Sequence, residues 1–170
     1  MQLTHLVVKT GLMAALAACL QLFASFLPGP GHALGAFATL PIALIAGVNP
    51  AAGLGGLLVA SGVVFLIQPL GAPILLFLSG PLGVVLGWGK KMGLPLPFRV
   101  LVGGLPLVVG MLIVTYVLGR SALGGFIYSR PVLLMIGLYL ILALVYTWLW
   151  VSLMDNYCGR LQRWLRPGSF

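Results

Sequence analysis

Side chains able to do acid–base, nucleophilic or metal chemistry are scarce in this chain. It has one acidic residue, Asp155, no glutamate, the histidines His5 and His32, and the cysteines Cys19 and Cys158. General acid–base catalysis needs a positioned Asp, Glu, His or Lys. Asp155 falls at the edge of an apolar run, and His5 and His32 are far apart, so no pair reads as an acid with its base. No His-Glu-x-x-His pattern or carboxylate cluster offers ligands to a metal. Cys19 has no nearby histidine or aspartate and Cys158 has only Asp155, which fits buried or lipid-facing thiols better than a metal site or a disulfide. Ser61-Gly62 faintly resembles the nucleophile of an intramembrane serine protease, but no histidine follows it to act as base. No glycine-rich loop ending in Gly-Lys-Ser/Thr is present to hold ATP. The expectation is a protein that is not an enzyme and uses no cofactor or metal.

The remaining polar inventory suits binding rather than chemistry. If a solute is taken from outside, His32, Gln68, Arg120, Ser121, Tyr128 and Arg130 are the candidate contacts, with Ser129 beside them. The alternative for Arg120 and Arg130 is that they anchor helix ends among lipid headgroups. A second feature is the small-residue run of the first apolar segment. Gly11 with Ala15, and Ala14 with Ala18, are spaced four apart, which brings small residues onto a helix face suited to close approach. That face either packs inside this chain or docks a partner subunit.

These residues must be held by elements made for lipid. The 170-residue chain is 61% hydrophobic and 6% charged. A water-soluble fold needs about a quarter of its residues charged. Lipid must therefore cover the outside, and the chain reads as an all-α polytopic membrane protein. Six crossings are expected, at 6–27, 33–48, 50–68, 70–89, 98–119 and 131–154, forming a transmembrane domain over 1–154. The breaks carry turn chemistry: Pro28-Gly29-Pro30-Gly31, Asn49-Pro50, Gln68-Pro69 and Pro95-Leu96-Pro97. Asn49 is suited to cap a helix and Pro50 to its first turn. Pro41, Pro81 and Pro106 fall inside crossings, where each removes a backbone donor and kinks its helix. Small residues crowd the first four crossings, which predicts a tight interior there, with the bulky last crossing facing more lipid.

Charge sets the expected orientation. With a cytoplasmic N-terminus, Lys9, Lys90, Lys91, Arg99, Arg160, Arg163 and Arg166 lie inside, and only Arg120 and Arg130 outside. That satisfies the positive-inside rule and puts both termini in the cytoplasm. The net charge of +8 is thus read as orientation and headgroup attraction, with no nucleic-acid partner. Residues 155–170 read as an interfacial cytoplasmic tail, with Tyr157, Leu161, Trp164 and Leu165 at helical spacing and arginines between them. Lys9, the apolar run to Leu27 and Gly31-His32-Ala33 have the outline of a signal peptide, but the run is longer than an h-region and membrane-like sequence follows; it is read as retained.

Three stretches carry a family resemblance: "LVVKTGLMAALAACLQLF", "LPIALIAGVNPAAGLGGLLVASG" and "LSGPLGVVLGWGKKMGL". They resemble the first, the second and third, and the fourth helices of the substrate-binding S components of energy-coupling factor (ECF) transporters, near the YybS-type membrane proteins. The resemblance implies a bacterial plasma-membrane subunit that captures a small solute at its outer face. It implies partners too: a transmembrane coupling subunit and ATPase subunits. In that family the alanine face of the first helix meets the coupling subunit, which carries the role onto Ala14 and Ala18. The family has no common ligand motif to carry over, and the short Pro28–His32 connection departs from its long outer lid. The competing expectations are a structural subunit similar to MreD, and a small channel or lipid-interacting protein.

Overall fold

The computed structural model describes residues 2–26, 30–117 and 132–157. Among them every regular element is helical. The helices are α1 (Gln2–Phe26), α2 (Pro30–Phe37), α3 (Thr39–Val48), α4 (Pro50–Ile67), α5 (Ala72–Ile74), α6 (Gly80–Lys91), α7 (Leu96–Val117) and α8 (Val132–Tyr157). A π-helical turn, Leu75–Ser79, joins α5 to α6, so Ala72–Lys91 is one crossing. Among the described residues five segments are long and apolar enough to cross a bilayer, and Leu34–Val48 is a shorter apolar sixth. The chain is an all-α, multi-pass membrane bundle.

The prolines shape the elements locally. Pro41 has no N–H to give the carbonyl one turn back, Phe37 O, and the second crossing breaks there into α2 and α3. Ala38 bridges the break with a tighter bond, its N–H donating to Gly35 O at 3.1 Å. Pro81 similarly deprives Phe77 O of its α-helical donor. The helix widens into the π turn, with Gly80 N–H donating to Leu75 O. Asn49 and Gln68, each before a proline, leave the helical region at φ −144°, and Asn49 is extended. Asn49 Oδ1 accepts from Ala51 N at 2.9 Å and Ala52 N at 3.3 Å, capping α4 as its sequence position predicts. Gly93, at φ 67°, ends α6. Gly93 N–H reaches Lys90 O and Leu94 N–H reaches Gly89 O, both at 3.1 Å, which satisfies the last carbonyls before Pro95.

Packing places α3 at the centre. Thr39 and Pro41 through Ala46 are all buried. Its closest partner is α6, through Gly83 and Gly87. A methyl at Gly83 would sit 2.7 Å from Thr39 O, and one at Gly87 2.7 Å from Gly47 N. The two backbones therefore touch, as small residues four apart allow. Gly53 brings α4 onto Ala46 of α3, and Gly56 brings it onto Thr10 and Ala14 of α1. On the other side Gly110 lets α7 meet the Phe77 carbonyl that Pro81 cannot serve. The expected interior of four crossings is thus narrower than composition suggests. The second and fourth crossings form it, while α1 and α8 each have 28% of their spanning stretch buried. α1 presents one stripe inward, Met13, Ala14, Ala17, Ala18 and Gln21, and leaves the rest to lipid.

One end of the bundle collects the charges. Arg99 donates through both terminal nitrogens to Asp155, with Nη1 2.9 Å from Oδ1. Lys90 Nζ lies 3.5 Å from the same carboxylate and donates to Met154 O at 2.7 Å. Lys91 Nζ donates to Val48 O at 3.0 Å. These lysines thus cap the C-terminal carbonyls of α3 and α8 as well as ending α6. The starts of α1, α4 and α7 lie at the same end, since Thr10 faces Gly56 and Gly53 faces Ala46.

Candidate functional site

Hydroxyls in a membrane helix are normally satisfied by the carbonyl one turn back. Thr10 and Thr115 do this, donating to Leu6 O at 2.8 Å and Met111 O at 2.7 Å. Thr39 and Ser79 do not. Each is almost fully buried, and neither Oγ has a hydrogen-bond partner. Each of the two stands beside a helix irregularity. The acceptor one turn before Thr39, Gly35 O, is taken by Ala38 N–H across the α2–α3 break. The acceptor one turn before Ser79, Leu75 O, is taken by Gly80 N–H across the π turn.

The two irregularities meet. Gly83, one turn after Ser79, packs on the Thr39 carbonyl, and the π turn contacts α2. The α2–α3 joint is therefore faced by Ser79 from one side. From a second side comes Gln21 of α1, 3% exposed, whose Oε1 has no partner and lies 3.5 Å from where a Gly35 methyl would be. α8 supplies the third side. Trp150 is 3% exposed and its Nε1–H has no acceptor. Its ring meets Phe37 edge-on, centroids 5.5 Å apart, and Tyr146 at 6.1 Å. The Tyr146 side chain reaches both Trp150 and Thr39, yet leaves Thr39 Oγ1 and Trp150 Nε1 without a well-formed bond.

A buried polar atom without a partner costs about 1–3 kcal/mol. Gathering Gln21, Thr39, Ser79 and Trp150 at one broken helix is therefore expensive as pure packing. Irregular backbone at membrane depth is tolerated where it is enclosed by protein or lines a cavity. This cluster offers donors and acceptors to an incoming molecule, and no nucleophile–base pair. Ser61 and Thr147 also lack partners, but they lie in unbroken helices.

Comparison with family models, curated proteins and solved structures finds no match to this chain.

The residues expected to hold a solute are spread differently. His32 lies in α2, at the same end of the bundle as the close of α4. Gln68 caps α4, half-buried, against Gly71. Arg120, Ser121, Tyr128 and Arg130 lie outside the described residues. Of the expected docking residues, Ala14 and Ala18 are buried, Ala14 facing Gly56 of α4 within the chain. Gly11 and Ala15 are exposed, and nothing lies within 4 Å of a methyl at Gly11. The joint residues Gln21, Phe37, Thr39, Ser79, Tyr146 and Trp150 were not singled out by sequence reasoning. A signal for two of them exists: Thr39-Leu40-Pro41 and Ser79-Gly80-Pro81 both place a hydroxyl two residues before a mid-span proline.

Proposed function

We propose that this chain is the membrane-embedded, solute-binding subunit of an ECF-type ATP-driven nutrient importer in the bacterial plasma membrane. It captures a small solute and docks to a transmembrane coupling subunit that communicates with ATPases. The observation that carries the reading is the set of unpartnered, buried polar atoms around the α2–α3 joint. A bound solute that supplied their missing partners would recover free energy that the unpaired atoms forgo. The orientation follows the charges: Lys90, Lys91 and Arg99 share the end at which α1 begins and α8 closes, so that end is cytoplasmic by the positive-inside rule. Docking falls to the lipid-facing strip of α1 at Gly11 and Ala15, since Ala14 and Ala18 are occupied within the chain.

The test is purification from the native membrane in mild detergent, followed by native mass spectrometry. A retained small molecule and a copurifying ATPase module are expected. Replacing Trp150 with phenylalanine keeps an aromatic ring, though a smaller one, removes the N–H, and should release the molecule while leaving the fold intact. A chain that retains no solute and brings no ATPase partner overturns the proposal.

A further inference from the structure

Resting on the solute-binding reading, we infer that the α2–α3 joint selects an uncharged, flat, hydrogen-bonding ring compound. The first argument is electrostatic. Lys90 and Arg99, ion-paired with Asp155, and Lys91, bonded to Val48 O, sit together at one end of the bundle. Thr39 is nine residues from the end of α3, and Tyr146 nine residues from Asp155. At the α-helical rise this sets Thr39 and Tyr146 about 14 Å from those charges, and Trp150, five residues from Asp155, about 8 Å away. The groups that surround the joint are two hydroxyls, one amide, one phenol and one indole, all neutral. A charged solute there would be buried without a counter-ion, among the costliest arrangements within a bilayer.

The second argument is the shape and polarity of the walls. Phe37, Tyr146 and Trp150 meet at steep angles, 82° and 69° between ring planes. Aromatic edges and faces arranged in this way receive a further flat ring, edge-on or offset, within the same cluster. Trp150 Nε1 is a donor only, so the ligand must present an acceptor in its plane. Gln21 Oε1 is an acceptor, so the ligand must also present a donor. Thr39 and Ser79 hydroxyls serve either role. A neutral heterocycle carrying adjacent N–H and C=O groups meets all of these demands. An aliphatic hydrocarbon meets none of the polar ones. An amino acid zwitterion meets the polar ones but brings charges that nothing at the joint balances.

The experiment uses the full chain in lipid nanodiscs and saturation-transfer NMR with matched pairs: uracil against orotate, and nicotinamide against nicotinate. The neutral member of each pair is expected to bind, and its carboxylate at least about a hundredfold more weakly, the order of an uncompensated buried charge. Trp150→Phe and Thr39→Val should each weaken the neutral probes about tenfold, the size of one lost hydrogen bond to a site built for it. Thr39→Val preserves side-chain shape, Trp150→Phe keeps an aromatic ring in a smaller side chain, and unchanged thermal unfolding shows that the fold survives. Carboxylates that bind as well as their neutral partners overturn the inference while leaving solute binding in place. A charged molecule retained from the native membrane does the same. No probe bound and no molecule retained removes the solute-binding reading itself.

Discussion

Replacing Gly87 with alanine should unseat the central helix pair. Gly87 faces α3 with nothing between the two backbones. A methyl there would lie 2.7 Å from Gly47 N and 2.8 Å from Ala46 Cβ, and closer still to Ala43 O. Ordinary contact begins at 3.4 Å, so the helices must part by at least 0.7 Å. Two of these atoms are backbone and the third is a Cβ, none of which can swing aside as a side-chain end would. Parting α3 from α6 also loosens α4, because α3 is packed on both. The cost belongs at the upper end of overpacking penalties, about 3 kcal/mol or more. The assay is reversible unfolding in mixed micelles titrated with SDS, read by tryptophan fluorescence. Gly62→Ala is the control, because nothing lies within 4 Å of its added methyl. It should stay within about 0.5 kcal/mol of the parent, as surface changes do. If Gly87→Ala unfolds with the parent, or if Gly62→Ala costs as much, the backbone-contact account of this core is wrong.

Two further expectations follow from the same geometry. Asp155→Asn removes the carboxylate shared by Arg99 and Lys90, and should lower stability by about 1 kcal/mol at low salt and less at high salt, since the cluster is part-exposed; a salt-independent loss would point to packing instead. Ala14→Trp with Ala18→Trp should destabilise the isolated chain by driving α1 off α4, whereas Gly11→Trp with Ala15→Trp should leave it folded and abolish copurification of the coupling subunit. Intact pull-down by the Gly11/Ala15 variant would place docking on another surface.

The class of this protein was legible because composition alone decides it. A chain this apolar, with so few charges, must put lipid where a soluble protein puts water. The turns were legible for a similar local reason: Asn49-Pro50 and Gln68-Pro69 act on their own backbone, and the structure shows both residues leaving the helical region before their prolines. The charged end was partly legible. Spacing placed Lys90, Lys91 and Arg99 on one side, but only packing brought Asp155, 56 residues away, onto Arg99.

The inside of the bundle was not legible, because membrane helices lack the polar and apolar faces that give direction to a soluble one. Ala14 and Gly11 look alike in sequence, yet one is buried and the other faces outward. Pro41 and Pro81 announce kinks, but not that the broken α2–α3 crossing and the π turn would face each other. Nor does the sequence say that Trp150 would close over Phe37. Those juxtapositions depend on which glycines let which backbones touch. Hydropathy and turn chemistry determined that the chain crosses the membrane and where it bends. Close packing at Gly83, Gly87 and Gly110 decided which bends meet, and so which polar atoms are left facing one another without partners.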